Sequence, residues 1–132
     1  MSTGSKAARD RVRVLFVEDD PSVAQMYKLK LELDGYEVEI APDGEVALAM
    51  AVDVAPDIIF LDIRLPKLDG FGVLEALHGD PKTAAIPVVI LSNYSEDELV
   101  QRGLKMGALD YLIKSQTTPA RLAEGLEAWL KD

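Results

Sequence analysis

The chain has no cysteine among its 132 residues, and no long hydrophobic segment. Without cysteine, neither a disulfide framework nor a zinc site built on thiolates is possible. A membrane-spanning helix needs about 20 apolar residues, whereas the longest apolar run, 84–91, is far shorter and contains a proline. A glycine-rich phosphate loop is also missing, so nucleotide binding has no support. We therefore expect a cytoplasmic protein that does not enter a membrane.

Basic residues are in the minority, with 14 Lys and Arg against 23 Asp and Glu and a formal net charge of −9. An acidic surface repels nucleic acid and anionic membranes, and the sequence has no basic patch, so we predict no direct binding to either. The length suits one domain with a single core. Residues 1–10 are rich in Ser, Gly, Ala and basic side chains, which predicts a disordered leader before a folded domain at 11–132.

Apolar, β-branched runs alternate with helical segments along the chain. Residues 12–17, 58–61 and 88–91 have the nearly continuous apolar character of strands buried on both faces. Residues 36–40 alternate polar and apolar, as an edge strand does, and 109–113 form a fifth run. The alternation of five strands with five helices predicts an α/β fold, a three-layer doubly wound parallel sheet with right-handed crossovers.

The helix ends have recognisable signals. Asp20 precedes a proline, and Thr118 precedes another, so both are predicted N-caps. Residues 95–98 match a capping box, which predicts a helix that starts there. Gly35 is expected to end the first helix, and His78 to cap the C-terminus of the third.

Polar side chains follow four of the predicted strands at the point where each strand ends: the acids 18–20, Asp62, Ser92 and Lys114. The carboxyl ends of parallel strands share one edge of a sheet, where ligands bind. Three consecutive acids repel one another unless a cation lies between them, and Mg²⁺ prefers such oxygen ligands. Taken singly, Asp62 could be a turn residue, the acids solvated charges and Lys114 a surface lysine. Gathered at one edge, they predict a site for a divalent metal and a phosphoryl group.

The whole of residues 11–131 resembles the receiver domain of bacterial two-component response regulators, of the stand-alone, single-domain type. The stretches that carry the resemblance, in order and at receiver spacing, are 14–21, 56–70, 86–92 and 107–114. The resemblance implies a flavodoxin-like sandwich with strand order 2-1-3-4-5. It also implies a signalling switch that catalyses only its own phosphorylation and dephosphorylation.

The same resemblance implies how the acids divide their work. Asp62 would take a phosphoryl group from the phosphohistidine of a sensor histidine kinase or phosphotransfer protein. Glu18 and Asp19 would hold Mg²⁺, or Mn²⁺ as a substitute, together with Asp62 and the backbone carbonyl of Arg64. Glu18 stands where aspartate is commoner, which adds one methylene to this ligand.

Ser92 and Lys114 would bind the phosphoryl oxygens by the same resemblance. On phosphorylation Ser92 would move toward the phosphoryl group, and the strand-five aromatic, Tyr111, would rotate inward. A downstream protein would then bind the fourth helix, fifth strand and fifth helix, roughly residues 95–131. Tyr111 could equally be an ordinary half-buried strand tyrosine.

Several positions depart from the receiver pattern. Arg64 and Tyr94 occupy positions that tune the phosphoryl lifetime in this family, and two bulky side chains there are expected to slow hydrolysis. Asn93 replaces a small residue and is expected to narrow access to the site. Ser115 follows the lysine where the family has a cis proline, and we expect the Lys114–Ser115 bond to remain cis despite its cost of about 3–4 kcal/mol.

Two other function classes stay open at this point. A hydrolase with an aspartyl-phosphate intermediate would want a second acid two residues after the nucleophile, where this chain has Arg64. An interaction module that is never phosphorylated would usually have lost some of the acid, hydroxyl and lysine set. The fold alone does not decide among these classes, because function depends on the site.

Overall fold

The computed structural model describes residues 11–131, in which five strands alternate with five helices. The strands are β1 (Arg13–Val17), β2 (Glu37–Ala41), β3 (Ile58–Leu61), β4 (Val88–Ser92) and β5 (Asp110–Ile113). The helices are α1 (Pro21–Leu33), α2 (Gly44–Val54), α3 (Gly70–Gly79), α4 (Asp97–Lys105) and α5 (Pro119–Leu130). None of these helices combines the length and the apolar character that crossing a membrane requires. The leader predicted at 1–10 lies outside the described residues.

All five strands form one parallel sheet in the order β2-β1-β3-β4-β5, so the predicted doubly wound topology is confirmed. Strand β2 lies at an edge of the sheet, as the sequence predicted. The order reverses between β1 and β3, and a crevice opens outside the carboxyl ends of the strands at such a point. The fold therefore brings the ends of β1 and β3 together.

The sheet separates two hydrophobic cores. Alternate residues of β1 enter opposite cores, with Leu15 and Val17 on one face and Val14 and Phe16 on the other. Helices α2, α3 and α4 cover the first face, and α1 and α5 cover the second. Because both faces are buried, the central strands are apolar except for Arg13 at the start of β1 and Ser92 at the end of β4. Each large side chain buried in this way contributes about 1.5–3 kcal/mol.

Two of the three predicted helix starts are confirmed. The side chains of Asp20 and Thr118 accept hydrogen bonds from N–H groups in the first turns of α1 and α5. The prediction of a capping box at 95–98 is wrong. The chain is still extended at Glu96, with φ −61° and ψ 133°, so α4 begins at Asp97 and has no side-chain cap.

His78 does not cap its own helix, contrary to the sequence prediction. Asp80 is the C-cap of α3, and the Nδ1 atom of His78 lies 2.8 Å from the carbonyl oxygen of Met106, at the end of α4. Gly107 makes room for the ring, because a Cβ atom there would lie 2.4 Å from the imidazole Cε1. The imidazole thus connects the C-terminal ends of α3 and α4.

Candidate functional site

Three acids meet at the carboxyl edge of the sheet: Glu18, Asp19 and Asp62 each offer a carboxylate oxygen within 4.8 Å of the others. The register explains this, because Val17 of β1 pairs with Leu61 of β3 and the next residue of each strand carries an acid. The Asp62 N–H donates to the Val17 carbonyl at 3.2 Å, so the ladder continues into the site. Glu18 and Asp62 are buried, whereas Asp19 is exposed. Asp19 thus gives the cluster one carboxylate that is open to solvent.

Lys114 supplies the positive charge of this cluster. Its Nζ donates to Glu18 Oε1 at 2.6 Å and to Asp62 Oδ2 at 2.7 Å. Burial raises the pKa of Glu18 above its ordinary value, and the Lys114 hydrogen bond offsets this only in part. Burial alone would lower the pKa of Lys114, but the bonds to Asp62 and Glu18 outweigh it and the pKa is raised. The lysine is therefore an ammonium at neutral pH.

The peptide bond after Lys114 is trans, and the expected cis bond is wrong: residues 11–131 contain no cis peptide bond. A cis bond before a residue other than proline costs about 3–4 kcal/mol. The chain avoids that cost by turning through a 3₁₀ segment, Lys114–Gln116, directly after β5. The Ser115 N–H donates to Asn93 Oδ1 at 3.0 Å. Lys114 therefore reaches Asp62 from a trans backbone.

A cavity of 370 Å³ opens to solvent beside the acids. Its walls include the Asp62 and Lys114 side chains, the start of α1 at Val23, and the pair Arg64 and Tyr94. The volume is sufficient for a hydrated cation and a phosphoryl group together. Hard oxygen ligands and one ammonium are the groups that these two ligands require. The residues therefore fit Mg²⁺.

Arg64 and Tyr94 contact each other at this cavity, with the guanidinium Cζ 5.3 Å from the centroid of the tyrosine ring. The Arg64 N–H also points to Asp62 Oδ1 at 3.4 Å. The described contacts of Arg64 thus involve its guanidinium and its N–H, and none involves the carbonyl predicted to bind the metal. Sequence reasoning identified both positions but not their contact.

Ser92 and Tyr111 lie behind the cavity wall. Ser92 is fully buried, and its hydroxyl accepts the Tyr94 N–H at 3.2 Å. The Tyr111 ring points inward, and its hydroxyl donates to the Tyr94 carbonyl at 2.6 Å. Burial raises the pKa of Tyr111, so the hydroxyl remains a donor. Gly103 faces this ring, and a Cβ atom there would lie 3.2 Å from Tyr111 Cδ2.

The structural roles of two residues, Asn93 and Tyr27, were not predicted from the sequence. Asn93 was expected only to narrow access, but it accepts the Ser115 N–H. The hydroxyl of Tyr27, buried in α1, donates to the carbonyl of Thr117 in the loop after Lys114. The sequence did contain an indication for Asn93, because Asn93 and Ser115 both depart from the receiver pattern. It contained no indication that the Tyr27 hydroxyl would bond to this loop.

Comparison with known proteins gives one consistent result. A family model described as the response regulator receiver domain matches residues 14–127. The chain is 42% identical over 102 residues to the DNA-binding dual master transcriptional regulator RpaA of Synechocystis sp.. The matched segment covers 77% of this chain and 42% of that protein.

Solved structures of receiver domains and of a chemotaxis protein are also similar to this chain. Chemotaxis protein CheY4 of Vibrio cholerae has a TM-score of 0.83 at 33% identity, over 90% of this chain and 98% of that one. The BeF3-activated receiver domain of Klebsiella pneumoniae RstA has a TM-score of 0.83 at 33% identity, over 91% and 99%. The chain spans less than half the length of the curated relatives it matches.

Proposed function

The chain belongs to the response regulator receiver domains, and from this membership we propose that it accepts a phosphoryl group on Asp62 and thereby switches its affinity for another protein. Receiver domains are signalling switches of two-component systems rather than enzymes with a separate substrate. One observation supports the proposal most: the ammonium of Lys114 and the acids Glu18 and Asp19 surround the Asp62 carboxylate at an open cavity.

The proposed donor is the phosphohistidine of a sensor histidine kinase or phosphotransfer protein. A carboxylate oxygen of Asp62 would attack phosphorus, an O–P bond would form, and the N–P bond would break with the electron pair returning to the imidazole. Because the transferred group carries negative charge on its outer oxygens, the protein mainly has to position and neutralise it. Lys114 would donate to one of these oxygens, and the buried Ser92 hydroxyl to another.

We propose Mg²⁺ as the cofactor, with Mn²⁺ as a substitute. Glu18, Asp19 and Asp62 would hold the ion, together with the Arg64 carbonyl. When bound, the ion would supply positive charge beside the phosphoryl oxygens. Lys114 pairs with both buried acids, whereas the Asp19 carboxylate is exposed to solvent.

The proposed output surface is formed by α4, β5 and α5, roughly residues 95–131. Tyr111 would couple it to the site, because its hydroxyl bonds to the carbonyl of Tyr94, in the loop that follows Ser92. A groove of 590 Å³ runs along α4 on this surface. The net charge of −9 favours a protein as the downstream partner over direct binding to nucleic acid. The cytoplasm, the usual location of receiver domains, is the compartment that we propose.

The hydrolase alternative has less support. The position that would hold its second acid is Arg64, whose guanidinium lies against Tyr94 and does not release a proton to a leaving group at neutral pH. Slow loss of the phosphoryl group from Asp62, catalysed by the receiver itself, is part of the switch that we propose.

Intact mass after incubation with Mg²⁺ and acetyl phosphate tests the proposal. The wild type should gain one phosphoryl group, and Asp62→Asn should gain none. Asp53→Asn is the matched control, because Asp53 is exposed on α2 away from the site and its loss should not matter. The gain should also disappear when Mg²⁺ is chelated. Equal phosphorylation of Asp62→Asn would refute the assignment of the acceptor.

A further inference from the structure

We infer that Asn93 is a positioning residue for Lys114: its amide oxygen holds the Ser115 N–H and so fixes the trans loop from which the lysine reaches Asp62. The inference deepens the proposed function, on which it rests for the role of Lys114 at the phosphoryl group. In this chain, a hydrogen bond between the ends of two strands takes the place of the proline that receivers usually have after this lysine.

The register places the two partners side by side. Ser92 of β4 pairs with Ile113 of β5, so Asn93 and Lys114 are the first residues beyond a matched pair of strand ends. The bond from the Ser115 N–H to Asn93 Oδ1, at 3.0 Å, crosses this gap. The Asn93 side chain thus extends the connection between β4 and β5 one step past the sheet, at the point where Lys114 leaves it.

The chemistry of residue 115 makes this bond possible. Proline has no backbone N–H, so a receiver with proline at this position has nothing to donate to Asn93. Serine restores the donor and also restores the strong preference for a trans bond that proline weakens. The two departures from the receiver pattern, Asn93 and Ser115, are therefore the acceptor and the donor of a single interaction.

The rest of the loop is held from the buried side. The Thr117 hydroxyl donates to the Ile113 carbonyl at 2.8 Å, and its N–H donates to the Lys114 carbonyl at 3.2 Å. The Tyr27 hydroxyl donates to the Thr117 carbonyl. Asn93 and Ser115 are more exposed, so their bond holds the loop on the solvent side. The two bonds of the Lys114 ammonium depend on a backbone that is fixed from both sides.

The test introduces Asn93→Ala into three backgrounds: wild type, Ser115→Ala and Ser115→Pro. Ser115→Ala keeps the N–H and is the matched control, whereas Ser115→Pro removes it. The first readout is the rate of phosphorylation by acetyl phosphate at saturating Mg²⁺. We expect Asn93→Ala to slow it about fivefold in the wild-type and Ser115→Ala backgrounds, as the loss of one exposed hydrogen bond predicts. In the Ser115→Pro background, Asn93→Ala should have no effect.

The second readout does not depend on phosphorylation. The ¹H–¹⁵N signal of the Lys114 ammonium, recorded at fixed pH without Mg²⁺, should be resolved in the wild type and broadened by Asn93→Ala. Asn93→Asp keeps an acceptor oxygen in the same place and should retain the signal. Melting temperatures of all variants show that each one is folded when it is measured.

The outcomes separate clearly. The inference would be overturned if Asn93→Ala had equal effects in all three backgrounds or no effect in the wild type. Faster phosphorylation would also overturn it, because Asn93 would then act only by narrowing the cavity. A wild type that takes no phosphoryl group would instead contradict the proposed function. The ammonium signal would then decide by itself whether Asn93 positions Lys114.

Discussion

The guanidinium of Arg64 lies over the ring of Tyr94, its Cζ 5.3 Å from the ring centroid, at the cavity that contains Asp62. These residues come two positions after Asp62 and Ser92, on the loops that follow neighbouring strands. An exposed cation–π contact contributes only about 0.5–1 kcal/mol. The pair can therefore cover the site while a phosphodonor still displaces it at little cost.

We expect Arg64→Ala and Tyr94→Ala each to shorten the lifetime of the Asp62 phosphoryl group by about two- to fivefold, because the contact that covers the cavity is lost. The measurement is the decay of the phosphorylated mass after the donor is removed. Arg121→Ala, on exposed α5 surface, is the control and should leave the decay unchanged. Lifetimes that stay at the wild-type value in both cavity variants would show that the pair does not shield the site.

Lys114→Met should destabilise the metal-free protein at pH 7 by about 3–5 kcal/mol, because two buried carboxylates lose their ammonium partner. Mg²⁺ should restore much of the loss by binding the acids in its place. Urea unfolding with and without Mg²⁺ measures both effects. Lys30→Met is the control, since the Lys30–Asp34 pair is solvent-exposed and should contribute less than about 1 kcal/mol. A loss that Mg²⁺ does not reverse would count against a metal at this cluster.

Glu18→Gln should become progressively more stable than the wild type as the pH rises from 4 in the absence of metal. The folded-state pKa of Glu18 is raised, chiefly by burial, so the folded protein holds this proton more tightly than the unfolded chain. Stability from that proton is fully present below the ordinary pKa of 4.5 and is lost as the pH rises through the folded-state value. Unfolding free energies of both proteins across this range provide the test, and a constant difference would contradict it.

Gly103→Ala should displace the Tyr111 ring from its inward position. The added Cβ would lie 2.6 Å from Ile90 Cδ1 and 3.2 Å from Tyr111 Cδ2, so one of them has to move. We expect a stability loss of about 1–3 kcal/mol and a changed Tyr111 ring signal by NMR. At Gly79 a Cβ would meet nothing within 4 Å, so Gly79→Ala is the matched control. An unchanged Tyr111 signal would mean that Ile90 alone absorbs the methyl group.

The sequence predicted most of the fold and the location of the site because both depend on short-range signals. Unbroken apolar runs identify buried parallel strands, and residues directly after them must lie at one edge, which located Glu18, Asp62 and Lys114. The trans bond before Ser115 is the ordinary preference of a residue other than proline, so residue type alone could have predicted it. The hydrogen bond from the Ser115 N–H to an acceptor 22 residues away could not be predicted, because such a contact has no periodicity.

The resemblance implied an inward position of Tyr111 only on phosphorylation, and the sequence did not predict the contacts that hold its ring inward here. The inward position depends on the missing side chain at Gly103 and on the Tyr94 carbonyl, which reach the ring from two different segments. Similarly, the capping box at 95–98 had the right composition, but the backbone at Glu96 remains extended and delays the helix. In each case a tertiary contact or a backbone angle determines the outcome rather than residue type.

The bond from His78 to the Met106 carbonyl gives α4 two unequal ends. Its C-terminal end is attached to α3, whereas its N-terminal end has no side-chain cap and follows the loop that leaves Ser92. Because the C-terminal end of α4 is attached to α3, a shift of that loop would rotate the helix about Met106 rather than translate it along its axis. Displacement would then grow with distance from Met106. A partner bound near Asp97 would sense a larger change than one bound near Lys105.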